Sequence, residues 1–238
     1  RRFVDMQLSQ IRSGYVRALK TYLSVLESRN ALLRQDKLQG VSDFANQLDA
    51  WDEQLANAAV PIVRSRRWFL QELSENSSRE YAAISENPDE PFSLFYVGPL
   101  AQSDAPYEQM LAGLRRNREE DRRRMYTTFG PHRDDVSLQL FGRDLRAMGS
   151  QGQLRTAVLS MKLGEIRLIE KEMGESPTLL LDDVFSELDA KRRNALFKSA
   201  APMQTFITCT DRQDAAGAKA DCFLQVTSTP EGTVLRRE

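Results

Sequence analysis

Thr178-Leu179-Leu180-Leu181-Asp182-Asp183 is the stretch that decides the fold of this chain. Its apolar run is typical of a parallel strand buried on both faces, and it ends abruptly in two carboxylates. Ligands of open α/β sheets bind at the carboxyl ends of the strands. Asp182 and Asp183 are therefore candidates to hold hydrated magnesium and to orient an attacking water. The alternative is a strand followed by an ordinary acidic turn.

A second candidate ligand site stands upstream, at Gly149-Ser150-Gln151-Gly152-Gln153. An apolar helical pattern follows it, from about Gln153 to Met173. The free N–H groups and the positive dipole end of a helix start favour an anion. The pattern predicts a phosphate site, and the alternative is a helix N-cap after a flexible glycine turn.

The turn after the strand is acidic as well. It has the sequence Val184-Phe185-Ser186-Glu187-Leu188-Asp189 and leads into a predicted helix from Ala190 to Ser199. Ser186 or Asp189 can simply cap that helix.

Composition excludes little. The chain has 238 residues, of which 41% are hydrophobic and 28% charged, and this length allows one large domain or the two that we favour. The net charge of −1 means that any nucleic-acid surface is a local patch. Cys209 and Cys222 are too few for a disulfide framework or a zinc site, so we expect a cytoplasmic protein. No apolar run approaches a membrane span and no signal peptide is evident, so we expect no membrane.

The first part of the chain follows a helical pattern. We predict residues 1–125 to be a mostly helical arm with a connector. It is expected to begin with one or two helices over Phe3 to Leu33. The next helix opens at the N-cap Ser42, kinks or breaks at Pro61 and ends in the polar run from Ser74 to Arg79. A strand over Phe92 to Tyr96 and a charged helix over Tyr107 to Met125 follow.

From Tyr126 the pattern changes to short apolar runs that alternate with helical stretches. We predict an α/β domain over residues 126–238. Besides the strand that leads into Asp182, its expected strands are Val136 to Phe141, Thr205 to Cys209 and Phe223 to Val226.

The order of these motifs resembles the succession of signature, Walker B, D-loop and switch strand in ABC-class ATPases. The residues of several stretches are similar to those of the RecF family. Those stretches are Arg1 to Asp5, Arg29 to Leu33, Thr128 to Asp135, Gly149 to Thr156 and Leu181 to Asp189. The resemblance runs from Arg1 to about Asp211, and it implies an ABC-type α/β ATPase head with a parallel-sheet core and an SMC-like, mostly helical arm.

The resemblance also assigns roles to residues. It implies that Asp182 holds magnesium and that Asp183 takes the place of the usual catalytic glutamate. It implies that Ser150 and Gly152 contact the γ-phosphate of a nucleotide in a second subunit's pocket, with support from Gln151 and Gln153. It also places Ser186 and Asp189 in the D-loop and Thr210 at the position of the switch histidine.

The implied function is DNA repair, replication and recombination, including the SOS response. The cofactors would be ATP and Mg²⁺, and the partners single-stranded or gapped duplex DNA, recombination mediator proteins and a second copy of the chain in an ATP-dependent homodimer. Asp183 is one methylene shorter than glutamate and Thr210 is not a charged donor, so we expect slow hydrolysis. The first residues enter an amphipathic pattern at once and carry no initiator methionine, so we expect a chain that starts mid-protein. The sequence has no Walker A loop, G-x-x-x-x-G-K-[ST], so we expect the chain alone to bind ATP very weakly.

Basic runs and the single histidine give weaker signals. Candidates for contact with DNA phosphates are Arg64, Arg66, Arg67, Arg122, Arg123 and Arg124, and the alternative is that they form solvated helix faces. For His132 we expect a packed loop in which Arg133 pairs with Asp134 or Asp135, and the alternative is phosphate or DNA contact.

Two other functions remain open at this point. One is a non-catalytic protein-interaction module, which the absence of the Walker A loop favours. The other is the head of another SMC-like ATPase, for which the arm is too short to carry a sustained coiled coil.

Overall fold

The computed structural model describes residues 1–85, 89–184, 188–211, 220–229 and 232–237. It divides into two compact units, Arg1–Ser176 and Pro177–Glu238. This division falls later in the chain than residue 126, where the sequence pattern changes, and the functional boundary at 125/126 stays a prediction.

The first unit is mostly helical. Its elements are α1 (Arg2–Ile11), α2 (Tyr15–Gln39), α3 (Phe44–Ile84), β1 (Phe92–Val97), α4 (Pro106–Arg116), α5 (Arg118–Arg124), a 3₁₀ turn (Pro131–Arg133), β2 (Asp135–Leu140), β3 (Arg143–Asp144), α6 (Leu145–Met148) and α7 (Gln151–Met173).

The long helix α3 is the centre of this unit. It spans 41 residues, so at 1.5 Å per residue it is about 60 Å long. One buried stripe with steps of three and four residues follows it, and α2, α4, α7 and β1 pack on it. The stripe consists of Leu48, Asp52, Leu55, Ala59, Ile62, Arg66, Phe69, Leu73, Ser77, Tyr81 and Ile84.

Two predicted features of α3 are wrong. The N-cap is Asp43 rather than Ser42, and the helix continues through the polar run to Ile84. Of the two outcomes predicted at Pro61, the break is wrong, because the helix is continuous there, and the kink stays a prediction. Pro61 removes a hydrogen bond to the carbonyl of Asn57, but both residues are exposed, so water can replace it. Burial on either side of Pro61 then holds the helix together.

A small antiparallel sheet lies against α3. Its strand order is β1-β2-β3, with Phe92 opposite Leu140 and Leu94 opposite Leu138. The alternate residues Phe92, Leu94 and Tyr96 are buried, as expected for a sheet with one covered face. The strand predicted to open the α/β domain, β2, thus pairs with the connector strand β1.

The second unit contains the parallel strands β4 (Leu179–Asp182) and β5 (Thr205–Thr208), with α8 (Ala190–Ala200) between them in the chain. β6 (Leu224–Thr229) and β7 (Gly232–Arg237) form an antiparallel hairpin. The sequence pattern indicated β6 in part and missed β7.

The prediction that β4 is buried on both faces is wrong for this chain. Leu180 is 73% exposed and Phe206, its partner on β5, is 54% exposed, whereas their neighbours Leu181 and Ile207 are half-buried. One face of the strand pair is therefore open, because the described residues of the second unit leave Leu180 and Phe206 uncovered.

None of the helices in the described ranges combines the length and the apolar character that crossing a lipid bilayer requires.

Candidate functional site

The two predicted acidic residues stand at the carboxyl end of β4, as expected. Asp182 is the last residue of the strand and lies opposite Thr208 in the parallel register with β5. The Thr208 hydroxyl donates to Asp182 Oδ1 at 2.6 Å and accepts from the Asp183 N–H at 3.1 Å. One hydroxyl therefore fixes both the Asp182 carboxylate and the turn that follows.

The backbone turns sharply at Asp183, whose φ of 47° is in the left-handed region. Aspartate tolerates this conformation better than most residues. Both acidic residues are exposed. Within the described part of the chain Asp182 Oδ2 makes no hydrogen bond, so one carboxylate oxygen remains available for a ligand.

Oxygen donors of this kind fit magnesium. Mg²⁺ is usually held by one or two carboxylates and takes the rest of its shell from water and phosphate. In the described residues there is no cluster of three or more His, Cys, Asp or Glu side chains that could form an all-protein metal cage. Asp182 therefore suits a cation that arrives together with a phosphate ligand.

Thr208 was missed by the sequence prediction, which selected Thr210. Thr210 is exposed and lies beyond the last residue of β5, and the structure brings Thr208, not Thr210, to Asp182. The only sequence signal for Thr208 was its position at the end of a predicted neighbouring strand. The role of Thr210 stays a prediction.

Ser150 is the N-cap of α7 and belongs to the first unit. Its Oγ accepts from the Gln153 N–H at 3.2 Å, and Gln153 Oε1 accepts from the Ser150 N–H at 3.0 Å. This reciprocal capping box confirms the N-cap interpretation of the segment. Gly149 is needed next to it, because a Cβ there would lie 2.5 Å from the Leu145 carbonyl oxygen.

A capped helix start still has donors to offer. The Ser150 hydroxyl accepts one hydrogen bond and keeps its own proton to donate. The N–H groups of the first turn, which Gln151 opens, point out of a helix along its axis. A groove of about 470 Å³ lies beside this segment, and its wall includes Arg143, Asp144, Gly149 and Gln153 but not Ser150. The segment can therefore receive an anion without losing its cap.

Gln153 is already engaged on both sides. Its Oε1 accepts from Ser150, and its Nε2 donates to Glu90 Oε1 at 3.2 Å. The prediction that Gln153 supports the phosphate contact therefore stands only for an indirect role through Ser150.

Of the two D-loop candidates, Asp189 is described and Ser186 lies outside the described residues. Asp189 is the N-cap of α8 and accepts from the Arg192 N–H at 2.9 Å. This backbone N–H, together with the charge of Arg192, lowers the pKa of the Asp189 carboxyl. Asp189 thus performs the capping role that was the alternative for it.

The first basic run is largely structural, which corrects the DNA-contact prediction for Arg66 and Arg67. Arg66 is 3% exposed, pairs with Asp5 at 2.8 Å and donates to the Pro131 carbonyl at 2.6 Å. Arg67 donates to the carbonyls of Leu100 and Ser103. Arg64 is exposed and makes no ion pair with a described residue.

The second basic run forms ion pairs at the helix surface. Arg122 Nε lies 2.7 Å from Asp36 Oδ2, and both Arg123 and Arg124 pair with Glu120. The alternative of a solvated, partly neutralised helix face describes these residues better than a free basic patch.

A buried ionic network lies below this helix. Arg29 is fully buried, and its guanidinium donates to Asp52 at 2.7 Å and to Asp121 and Thr127 at 2.8 Å each. Arg118 also donates to Asp52. Charges buried in this way are tolerated only when they are paired, so the network fixes α2, α3 and α5 to the segment after α5.

His132 is part of a packed loop, as predicted. Its Nε2 lies 2.9 Å from the Thr127 carbonyl, which can only accept, so Nε2 carries the proton and Nδ1 accepts from the Tyr22 hydroxyl at 2.6 Å. Burial is the main cause that lowers the pKa of His132. The imidazole is therefore held neutral.

The predicted pairing of Arg133 with Asp134 or Asp135 is wrong. Arg133 lies over the Tyr126 ring at 4.9 Å, and Asp134 accepts from the Tyr96 hydroxyl. The cause is the turn at Pro131–Arg133, after which Asp134 is buried while Asp135 is exposed.

Comparison with known proteins gives a consistent result, although no family model matches the sequence. The chain is 43% identical to the DNA replication and repair protein RecF of Herpetosiphon aurantiacus, over 90% of this chain and 55% of that protein. It is 39% identical to RecF of Shouchella clausii, over 100% of this chain and 65% of that protein. The chain thus spans little more than half the length of the curated relatives it matches.

Solved structures agree with these relatives. The recombination mediator protein RecF-ATPrS in the RecFOR pathway superposes with a TM-score of 0.82 at 33% identity, over 94% of this chain and 59% of that one. The structure of RecF-ATP in the same pathway gives a TM-score of 0.83 at 32% identity. These matches confirm the predicted fold class, an ABC-type α/β ATPase head subdomain with a mostly helical arm. The chain therefore belongs to the RecF family of DNA replication and repair proteins and corresponds to part of the length of its relatives.

Proposed function

We propose that this chain acts in DNA repair and replication as part of a RecF-type ATPase, in which ATP drives two protein copies to pair as a clamp on DNA at single-stranded gaps and junctions. The observation that carries the proposal is the Asp182 carboxylate, fixed by the Thr208 hydroxyl at the carboxyl end of a parallel strand. Nucleotide ligands of α/β sheets bind at such an edge. The names of the relatives supply the process, DNA replication and repair.

The described residues divide the nucleotide contacts among themselves. Asp182 would hold Mg²⁺ through its open oxygen, and Asp183 would orient the attacking water. Ser150, with the amides of Gln151 and Gly152, would donate to the γ-phosphate of a nucleotide held mainly by the other copy. ATP would then join two copies, and similarity to a RecF-ATP structure supports its choice as ligand.

This chain alone should bind ATP very weakly, since its sequence lacks the Walker A loop. The open face around Leu180 and Phe206 supports an incomplete pocket as well. Two large apolar side chains side by side on a strand pair normally pack against another element. We propose that part of the relatives' length that this chain does not span covers this face and carries the phosphate-binding lysine.

Hydrolysis is proposed to be slow. The shorter Asp183 positions water less well than a glutamate, and Thr210 offers no charged donor near neutral pH. Slow turnover suits a switch that stays on DNA until mediator proteins have acted.

We propose fewer DNA-contacting arginines than the sequence indicated, because Arg66 and Arg67 donate hydrogen bonds within the fold. Arg64 and the exposed heads of Arg123 and Arg124 remain candidates for phosphate contacts. Such contacts would give salt-dependent affinity with little sequence preference.

ATP-dependent pairing is the decisive test. This chain is mixed with a polypeptide that covers the Walker A-bearing, amino-terminal portion of a RecF relative, and the mass of the complex is measured with ATP, ADP or no nucleotide. We expect pairing with ATP that Ser150→Arg and Asp182→Asn abolish. Ser24→Arg and Asp104→Asn, at exposed positions outside both sequence segments, are the matched controls and should pair normally.

The alternative function, a non-catalytic protein-interaction module, is favoured by one observation, the absence of the Walker A loop from the sequence. It predicts no ATP-dependent pairing, or pairing that Ser150→Arg leaves intact. The same experiment therefore separates the two functions.

A further inference from the structure

Glu90 bridges two helices with its carboxylate. On one side, Oε2 accepts from the Tyr81 hydroxyl at 2.9 Å and from the Ser85 hydroxyl at 3.1 Å. On the other side, Oε1 accepts from Gln153 Nε2 at 3.2 Å. Tyr81 and Ser85 belong to the end of α3 and Gln153 to the first turn of α7. One side chain thus connects the end of the arm helix α3 to the start of α7.

In the series of hydrogen bonds from Ser150 through Gln153 to Glu90, donor and acceptor are fixed at each step. The Ser150 N–H can only donate, so Gln153 must turn its oxygen to Ser150 and its NH₂ group to Glu90. A group that faces an NH₂ on one side and two hydroxyls on the other, and accepts from all of them, is a carboxylate. Glu90 therefore sets the orientation of the Gln153 amide, and the amide completes the cap at Ser150.

The rest of α7 is attached to α3 by independent contacts. A Cβ at Gly164 would lie 2.7 Å from the Ser77 backbone nitrogen, so the two helices touch there. Farther along, Lys171 pairs with Glu72 at 2.6 Å. Because these contacts hold the body of α7, loss of the Glu90 bridge should loosen the first turn without detaching the helix.

We propose that Glu90 is a positioning residue that holds Ser150 and the first turn of α7 in place through Gln153, and that makes their arrangement depend on the last turn of the arm helix α3. The consequence at a nucleotide rests on the proposed function, in which Ser150 meets the γ-phosphate. A shift of the arm on DNA would then be transmitted to the phosphate contact over three side chains.

An isosteric substitution tests this directly. In Glu90→Gln, one side of residue 90 becomes an NH₂ group. We expect that group to face Gln153, because in the opposite orientation both the Tyr81 and the Ser85 hydroxyl would lose residue 90 as an acceptor, whereas in this one only Gln153 does. Either two NH₂ groups then meet or Gln153 flips and turns its NH₂ to the Ser150 N–H. We expect the Ser150 amide to exchange with water about two- to tenfold faster, since one hydrogen bond of the cap is lost, as measured by residue-resolved NMR on the chain without nucleotide.

The matched rescue exchanges the two side chains. In the double variant Glu90→Gln and Gln153→Glu, the new glutamine accepts from Tyr81 and Ser85 and donates to the new glutamate, which accepts from the Ser150 N–H. Glutamate at this position is also a preferred capping-box residue. The net charge is unchanged, and the slow exchange of the Ser150 amide should return.

Two further variants separate transmission from local packing. Tyr81→Phe removes a donor on the arm helix without touching α7, and it should speed Ser150 exchange by a smaller factor, because Ser85 still holds Glu90. Glu72→Gln removes the charge from the distant ion pair with Lys171 and should leave Ser150 exchange unchanged.

Unchanged Ser150 exchange in Glu90→Gln, or a double variant no slower than the single one, would overturn the inference. So would faster exchange accompanied by unaltered ATP-dependent pairing with the Walker A-bearing polypeptide. If the unaltered chain does not pair with ATP at all, the proposed function fails, while the exchange rates still decide the role of Glu90.

Discussion

Substitution of Gly164 by alanine should destabilise the first unit, although alanine is the better helix former. A Cβ at this position would lie 2.6 Å from Ser77 Oγ, 2.7 Å from its backbone nitrogen and 3.0 Å from its Cα. Two of these atoms are backbone, so no rotation of a side chain relieves the contact. To restore a usual contact of about 3.5 Å, α3 and α7 must separate by about 0.8 Å.

The magnitude follows from two opposing effects. Overpacking of a core contact costs about 1 to 3 kcal/mol, and the upper end applies here because backbone must move. Replacing a helical glycine by alanine returns about 1 kcal/mol. The free energy of unfolding should therefore fall by about 2 kcal/mol.

Denaturant unfolding followed by tryptophan fluorescence measures this change in the first unit, because Trp51 and Trp68 both lie in α3. Ser77→Ala is the control: its buried hydroxyl has no hydrogen-bond partner among the described residues, so its removal should be neutral or slightly stabilising. The double variant should stay destabilised, since the backbone atoms of residue 77 remain. A Gly164→Ala chain as stable as the unaltered one would refute the close helix contact.

Three other changes test the buried ion-pair network of Arg29, the neutral state of His132 and the contact of Thr208 with Asp182. Arg29→Met leaves Asp52 and Asp121 buried without their shared cation, and the free energy of unfolding should fall by about 3 to 5 kcal/mol, whereas Arg64→Ala should not change it. His132, the single histidine, should titrate below pH 6.5 when followed by NMR, because burial lowers its pKa in the folded chain. The unfolded chain then binds more protons than the folded one below pH 6.5, so the free energy of unfolding should fall on acidification through that range. A titration at or above 6.5 would contradict a neutral, buried imidazole. Thr208→Val should weaken ATP-dependent pairing while Thr208→Ser preserves it, because only serine keeps the hydroxyl on Asp182, and equal pairing by both would remove Thr208 from the site.

The sequence predicted the elements that depend on local pattern and failed where distant residues decide. The Ser150 cap, the strand that ends at Asp182 and the α7 helix follow from spacing and capping residues. The continuity of α3 does not, because Pro61 and the polar run from Ser74 to Arg79 locally favour a helix end. The buried stripe that continues past both also includes the charged residues Asp52 and Arg66. Asp52 and Arg66 are satisfied there by partners such as Arg29 and Asp5, far away in the chain.

The same reason explains what was missed at the candidate site. Thr208 reaches Asp182 only because the strands align with their last residues opposite each other, and a register is not visible in either strand alone. Glu90 and Gln153 are 63 positions apart, and although Gln153 has capping-box spacing from Ser150, no local pattern marks Glu90 as its second partner. Roles that act through a partner's orientation leave no local spacing to detect.

Some stretches that resemble RecF make contacts within the fold, so their resemblance alone does not identify a nucleotide site. Between Thr128 and Asp135, both nitrogens of His132 are bonded within the fold, and Thr128 donates to the buried Asp121. Asp134 packs so closely on Gly98 that a Cβ there would collide with its carboxylate. A substitution of His132 or Asp134 would lower ATP-dependent pairing merely by loosening the first unit, so such a loss would not identify a ligand site. Ser150 and Asp182 are exposed, and a loss of pairing in a stably folded variant at either position is evidence about the nucleotide itself.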